Sequence, residues 1–289
     1  MIGHALLTFL AADGHKIVCL TRSAAPAHGR HISWDPVAGI IDAKDLEDFD
    51  AVVHLAGESI VGRWTPEKKA RILDSRVKGT RLLCESLAHL RSRPIVLVSA
   101  SAIGFYGDRG DRVLNEESPA GALFLSEVAK AWEAATEPAR RNGIRVVNLR
   151  IGFVLSQAGG GLTAMLLPFK LGVGGRVGSG RQYVSWIAID DVVGAISQAI
   201  LSDALHGPVN AVAPNPVTNR EFTNTLGRVL GRPTIFPLPA FAAHLVMGEM
   251  ADELLLASTR VEPKRLLATG YEFKFPQLAG ALRHVLGKK

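Results

Sequence analysis

The sequence predicts an α/β fold in which a doubly wound parallel sheet is covered by helices on both faces. The first observation is that apolar, β-branched runs alternate with stretches of helical periodicity over the first half of the chain. The second is that several of these apolar runs end in glycine, serine or a charged residue. Because parallel strands need long crossover connections, the alternation favours helices between parallel strands over a series of hairpins.

The chain opens on a glycine that is followed by a helical pattern and then by a strand. Gly3 precedes an amphipathic stretch that Gly14 closes, and the apolar run 16–22 ends in Thr21 and Arg22. This order matches the second half of a dinucleotide-binding βαβ unit, or Rossmann unit. The preceding strand and the earlier glycines are missing. We therefore expect the native chain to start about a dozen residues earlier, since one strand and two glycines need that length.

Further strands and helices alternate along the chain. Residues 152–182 are rich in glycine and show no regular helical or strand pattern. Such a stretch indicates loops that face a ligand. Asp190 and Asp191 are predicted to cap the helix that follows. The tail from residue 218 is mostly helical. Strands are predicted at 50–57, 94–101, 144–150, 183–189 and 208–212, and helices at 66–90, 123–141 and 190–201.

This pattern predicts two domains of different size. Residues 1–155 are expected to form the Rossmann domain, which lacks its first strand. Residues 156–289 would supply the substrate loops and a smaller C-terminal region, with residues 183–212 returning to the first domain. The helical tail could support a homodimer.

Composition narrows the class of protein. The chain has 289 residues, 47% of them hydrophobic, and its 33 basic and 27 acidic residues are interspersed along the sequence. That mixture argues against a nucleic-acid interface and fits a mildly basic protein that binds small anions. No apolar run approaches the ~20 residues needed to span a bilayer, and there is no secretory leader, so we expect a cytoplasmic protein. No metal-ligand spacing is present.

The carboxyl ends of parallel strands are where such sheets bind ligands, and polar groups follow several predicted strands. Arg22 stands where an acidic residue would bind the ribose hydroxyls of NAD, and its positive charge favours the 2′-phosphate of NADP. The alternative is an exposed loop arginine. Leu55, Ala56 and Gly57 stand at the end of the next predicted strand. The small residues there would let the backbone approach a cofactor closely, or they could simply form a tight turn.

Seven segments of the chain carry a resemblance to a known family: DAVVHLAGES (50–59), GRWT (62–65), DSRVKGT (74–80), SASAIGFYG (99–107), GSGRQYVSWI (178–187), GPVNAVAPNP (207–216) and GEM (248–250). Together they resemble the NAD(P)-dependent epimerase/dehydratase proteins of the extended short-chain dehydrogenase/reductase superfamily. More narrowly, they are similar to its atypical "epimerase family" branch, which has its own C-terminal domain. The resemblance covers nearly the whole chain and implies that NADP is bound by Gly3, Thr21, Arg22, Leu55, Ala56, Arg76, Ser99 and Leu155.

The chain departs from the wider superfamily at the catalytic base. Typical members carry Tyr-x-x-x-Lys on the helix after the serine-bearing strand, where the lysine lowers the tyrosine pKa. Here Phe124 opens that helix and no tyrosine follows. The resemblance implies an NADP-dependent oxidoreductase or epimerase that acts on a small polar or nucleotide-linked carbonyl or alcohol. The missing tyrosine leaves open a non-catalytic NADP(H)-binding or redox-sensing protein.

Other side chains are expected to supply the missing chemistry. Ser101 could polarise a substrate carbonyl, or it could cap a turn. Tyr106 and Glu58 could carry the proton, although Tyr106 could equally be a packed loop aromatic. Arg181 and Gln182, in the glycine-rich loop before Trp186, would suit a substrate phosphate or carboxylate. We therefore predict Ser101, Tyr106 and Glu58 as catalytic, Gly57 as a further cofactor contact, and Arg181, Gln182 and Trp186 as substrate contacts.

Overall fold

A computed structural model describes residues 1–22 and 30–288 of the chain. Its strands are β1 (Val18–Thr21), β2 (Arg30–Asp35), β3 (Ile40–Ile41), β4 (Ala51–His54), β5 (Val96–Ala102), β6 (Val113–Leu114), β7 (Arg145–Ile151), β8 (Phe153–Leu155), β9 (Tyr183–Val184), β10 (Trp186–Ala188), β11 (Gly207–Ala211), β12 (Val217–Thr218) and β13 (Arg260–Val261). Its α-helices are α1 (Ile2–Ala12), α2 (Pro66–Ala88), α3 (Phe124–Ala134), α4 (Glu137–Arg141), α5 (Gly161–Lys170), α6 (Ile189–Leu201), α7 (Asn219–Leu230), α8 (Ala240–Met247), α9 (Glu249–Ala251), α10 (Lys264–Ala268) and α11 (Leu278–Val285).

The main sheet is parallel and has the strand order β11-β7-β5-β4. A second sheet joins β1 in parallel to β2, and β3 pairs antiparallel with β2. Within the described residues, β1 and β4 are not hydrogen-bonded to each other, so these strands form two sheets. The expected earlier start of the chain stays a prediction.

Helices cover both faces of the main sheet because neighbouring residues of its strands point to opposite sides. Val98 of β5 packs in one core with Leu6 of α1 and Ile196 of α6. Leu97, the adjacent residue, packs in a second core with Leu83 of α2 and residues of α4. The predicted α/β fold with a doubly wound parallel sheet is therefore confirmed.

The C-terminal region is mostly helical, as predicted. Helices α5, α7 and α11 enclose a third core in which Leu166, Phe222 and Leu282 meet. Short strand pairs connect this region to the rest of the molecule: β8 with β10, β9 with β12 and β6 with β13. Strand β11 lies beside β7 in the main sheet. The domain boundary at residue 155 stays a prediction.

Three local predictions are wrong. The glycine-rich stretch contains helix α5, which forms because Leu162, Leu166 and Phe169 recur at helical spacing and bury one face. The helix expected over 123–141 is two helices, and Pro138 lies in the first turn of the second, where its missing N–H group is tolerated. Asp191 does not cap α6. Its buried carboxylate instead accepts hydrogen bonds from the backbone N–H groups of Lys274 and Phe275.

In the part of the chain that the structure describes, no helix is both long and apolar enough to cross a bilayer. This agrees with the sequence, which contains no apolar run of that length. Cytoplasmic residence and self-association stay predictions.

Candidate functional site

The polar groups predicted to converge do lie at one edge of the main sheet. The register places His54 of β4 beside Ser99 of β5, and Ser101 of β5 beside Arg150 of β7. Because the strands are parallel, their carboxyl ends and the loops that follow them meet at this edge. We use the name strand-tip crevice for the ends of β4 and β5 with residues 55–58, together with the end of β1 in the second sheet.

The loop after β4 lies against the N-terminal end of α1. A Cβ atom built on Gly3 would lie 3.9 Å from Cδ1 of Leu55. Ala56 and Gly57 are exposed, so their backbone is open to a ligand. The first turn of α1, which contains Gly3, lies beside this loop, and a helix N-terminus favours an anion. Gly3, Leu55, Ala56 and Gly57 are thus brought together as the sequence predicts, although their contacts with a cofactor stay a prediction.

Arg76 of α2 closes one side of this loop. Its Nη1 group donates to the carbonyl oxygens of Glu58 at 3.0 Å and of Ile72 at 3.1 Å, and its guanidinium lies 5.0 Å from the centre of the Trp132 ring. A Cβ atom on Gly57 would approach Cζ of Arg76 to 3.2 Å, so a side chain there would require the guanidinium to shift slightly. Burial lowers the pKa of Arg76.

Positive charge dominates the exposed end of the crevice. Glu58 is paired with Lys68 at 2.7 Å, and the hydrogen bond and positive charge of Lys68 hold the pKa of Glu58 below its usual value. Arg71 and Arg22 add smaller electrostatic contributions of the same sign, which places all three cations near one carboxylate. Arg22 is exposed at the end of β1, directly after Thr21. Such an excess of cations is suited to a phosphate group.

Two predicted cofactor contacts lie in the interior. Ser99 and Leu155 have no exposed surface, and Leu155 packs in the core that α5, α7 and α11 enclose. The Ser99 hydroxyl lies 3.5 Å from the carbonyl oxygen of Ala100, at the long limit of a hydrogen bond. Neither side chain presents a surface to a ligand in this structure, and their cofactor roles stay a prediction.

Ser101 begins a buried polar network. Its hydroxyl donates to Oε1 of Glu133 at 2.7 Å, and Glu133 receives two parallel hydrogen bonds from Arg150 at 2.8 and 2.9 Å. The Arg150 guanidinium lies 3.5 Å from the centre of the Phe105 ring. Burial by itself would lower the pKa of Arg150, yet its hydrogen bonds with Glu133 raise it overall. Arg150 therefore stays charged, and its salt bridge with Glu133 fixes the carboxylate that accepts from Ser101.

Tyr106 completes this network and is fully buried. Its hydroxyl donates to Oδ1 of Asn210 at 2.7 Å and accepts from Nη1 of Arg150 at 3.0 Å. Burial raises the pKa of the phenol. In this structure the side chain has no exposed surface, and its hydroxyl already makes two hydrogen bonds. This geometry favours the packed-aromatic alternative over a proton carrier, and the catalytic role stays a prediction.

The three predicted substrate contacts differ in how deeply their side chains are buried. Arg181 is exposed, but Nε2 of Gln182 is buried and donates to the carbonyl oxygens of Val177 and Leu255. Trp186 is fully buried, and its indole N–H donates to the carbonyl oxygen of Asn215 at 3.1 Å. Gln182 and Trp186 therefore hold the loop together. Of the three, only Arg181 offers a side chain to a ligand.

The sequence interpretation missed Glu133, which holds the hydroxyl of Ser101. A signal was present, because Ser126, Ala129 and Glu133 recur at spacings of three and four on one face of α3. An acid on a face that is otherwise small or apolar requires a buried partner. The sequence interpretation also missed Glu253. Its two carboxylate oxygens accept hydrogen bonds from the N–H groups of Phe124 and Leu125 at the start of α3.

The parallel sheet, the glycine at the start of α1 and the cationic strand tips define a dinucleotide-binding α/β protein. The model of the NAD dependent epimerase/dehydratase family matches residues 1–211, and the chain belongs to that family. A domain of unknown function (DUF1731) matches residues 238–285.

Several relatives match nearly the whole chain. An epimerase family protein of Mycobacterium bovis is 43% identical over 283 residues, covering 98% of this chain and 93% of that protein. The crystal structure of the human epimerase family protein SDR39U1 with NADPH has a TM-score of 0.91 and 36% identity, covering 100% of this chain and 97% of that one. A nucleoside-diphosphate sugar epimerase from Corynebacterium glutamicum has a TM-score of 0.81 and 37% identity, covering 99% of this chain but 56% of that one.

Proposed function

We propose that the protein binds NADP(H) in the strand-tip crevice and acts as an oxidoreductase or epimerase on a small polar or nucleotide-linked carbonyl or alcohol. The observation that supports it most is that Arg22, at the end of β1, and Lys68 and Arg71 of α2 all lie near the carboxylate of Glu58. The human relative whose structure was determined with NADPH has the same fold at 36% identity. When bound, a nicotinamide cofactor supplies hydride transfer.

The residues of the chain divide the remaining tasks. Arg22 would bind the 2′-phosphate, and the N-terminal turn of α1 with Gly57 would hold the pyrophosphate. Ser101 would orient a substrate oxygen once its hydroxyl turns away from Glu133, which stays neutralised by Arg150. Glu58 is held ionised by Lys68, so near neutral pH it can accept a proton but cannot donate one.

A specific observation favours the alternative of a non-catalytic NADP(H)-binding or redox-sensing protein. Phe124 opens α3 where the superfamily carries its tyrosine region, and the phenol of Tyr106 is buried with both of its hydrogen bonds made. No phenol therefore reaches the crevice from either segment. A protein that only binds the reduced cofactor needs no proton carrier.

Cofactor titrations test the binding part of this proposal. We expect Arg22→Gln to weaken NADPH binding at least tenfold, because a hydrogen bond to a charged group contributes about 1.5–3 kcal/mol and 1.4 kcal/mol is a factor of ten. NADH binding should not change. Arg283→Gln, which removes an exposed arginine of α11, is the matched control. Equal loss of both cofactors, or no change in either, would contradict the assignment of Arg22.

A turnover screen separates the enzyme from the sensor. NADPH oxidation would be followed with a panel of simple carbonyl compounds and nucleotide-linked sugars. Turnover that Ser101→Ala abolishes, and that Ser86→Ala on α2 leaves intact, supports the enzyme. Tight NADPH binding without turnover across the panel supports the sensor instead.

A further inference from the structure

A cavity lies in the C-terminal region, between the glycine-rich loop before β9, the first half of α7 and the chain that follows α7. Its volume is about 280 Å³. It is lined by Arg176, Arg220, Asn224, Thr234, Ile235 and Pro237. None of these residues belongs to the strand-tip crevice. This volume is just below the ~300–1,000 Å³ range of small-molecule pockets, so the cavity suits a small group better than a large ligand.

Two arginines converge on this cavity. Gly180 has a φ of +72°, and a Cβ atom built there would lie 3.2 Å from Cδ of Arg176 and 3.3 Å from Cβ of Arg220. Both side chains therefore pack against the same glycine. Arg220 also lies in the first turn of α7, where the helix dipole adds to the positive potential.

The two guanidinium groups lack a counter-ion. Over residues 1–22 and 30–288, neither of them forms an ion pair with a carboxylate. Glu221, the acid next to Arg220 in sequence, is occupied instead in a capping box, where it accepts from Thr218 N and Oγ1. Nη2 of Arg220 donates to the carbonyl oxygen of Ser179 at a long 3.4 Å, and a bound anion would supply both guanidinium groups with a counter-charge.

The polar groups beside the arginines are also arranged to donate. Thr234 Oγ1 donates to Oδ1 of Asn224 at 3.3 Å, which occupies the carbonyl side of that amide and leaves its Nδ2 group to donate to a ligand. Guanidinium groups present planar pairs of N–H donors that match the oxygens of a phosphate. Ile235, which is 72% exposed, forms an apolar rim of the cavity.

We propose that this cavity binds the phosphate or diphosphate group of a small molecule, at a site separate from the strand-tip crevice. Arg176 and Arg220 hold the phosphate oxygens, Asn224 donates a further hydrogen bond, and Ile235 with Pro237 contacts the apolar part of the ligand. The proposal goes beyond the proposed function, since it requires neither hydride transfer nor the binding of a dinucleotide.

Calorimetric titration of the full chain with inorganic pyrophosphate tests this site. The protein is first saturated with NADPH, so that the phosphate-binding groups of the strand-tip crevice are occupied. We expect Arg176→Gln and Arg220→Gln each to weaken pyrophosphate binding at least tenfold at constant ionic strength. Arg228→Gln removes an exposed arginine that is also on α7 but does not line the cavity, and it should leave the affinity unchanged.

A second titration with UDP distinguishes free from organic phosphate. If UDP binds more tightly than pyrophosphate and loses affinity in the same two variants, the ligand is an organic diphosphate; if both bind equally, the site takes free phosphate. Absence of pyrophosphate binding, or equal losses in all three variants, would overturn the proposal. Should NADPH fail to bind, the same titrations on Arg22→Gln protein keep this result separate from the failure of the proposed function.

Discussion

The pair formed by Arg150 and Glu133 provides a direct test of how the site is held together. Arg150 is only 3% exposed, and two hydrogen bonds of 2.8 and 2.9 Å join it to the carboxylate of Glu133. Removing one partner of such a buried pair leaves an uncompensated charge, which destabilises a protein by about 3–5 kcal/mol. At roughly 2 °C per kcal/mol for a chain of this size, the melting temperature should fall by about 6–10 °C.

The assay is a double-mutant cycle of thermal and urea unfolding. Glu133→Gln and Arg150→Met should each produce the full loss, while the double variant should lose clearly less than the sum, because no buried charge then remains unpaired. Arg140→Gln is the control, since its pair with Glu137 at 2.7 Å is exposed and such pairs contribute about 0–1 kcal/mol. Additive losses, or single variants as stable as the control, would refute the reasoning.

Two further predictions concern stability. Burial lowers the pKa of His54 from its usual 6.5 to about 4, so the unfolded chain takes up a proton before the folded chain does as the pH falls. The free energy of unfolding should therefore drop by up to ~1.4 kcal/mol per pH unit as the pH falls from 6.5 to about 4. Urea titrations of His54→Gln should lack this slope. Gly175→Ala places a Cβ atom 1.8 Å from the carbonyl oxygen of Phe236 and should destabilise the folded protein by about 1–3 kcal/mol or more. The control is Gly280→Ala on α11, where the added Cβ atom meets open space and should not destabilise the protein. Equal melting temperatures of the two variants would contradict this reasoning.

The fold could be predicted because its signals are local. Alternating apolar runs and helical periods give the order of strands and helices, and the rules for parallel connections turn that order into a doubly wound sheet. The same local view missed α5, since the glycines around residues 159–161 and 172–175 concealed three apolar residues at helical spacing. It also joined α3 to α4, because the pattern continues across the break at Pro138.

Backbone placement in the candidate site could be predicted from the sequence, whereas the partners of its polar side chains could not. Glycine and small residues at strand ends identify the loop 55–57 from sequence alone. The hydroxyl of Tyr106 donates to Asn210, which is 104 residues away, and no periodicity encodes such a pairing. Gln182 is a similar case, since it donates to carbonyl oxygens of its own loop and of the distant Leu255. The roles proposed for both residues stay predictions.

The C-terminal region determines what the start of α3 can do. Glu253 caps its first two N–H groups from 128 and 129 residues away, and burial raises the pKa of this carboxyl. Lys69 of α2 lies 4.9 Å from the centre of the Phe124 ring and is paired with Glu249, so the ring is held between the two regions. The superfamily's tyrosine region is thus occupied here by an aromatic side chain without a proton to give. We therefore expect any acid–base chemistry to come from groups on the β4 and β5 side of the crevice, where Ser101 donates to the carboxylate of the Arg150–Glu133 pair.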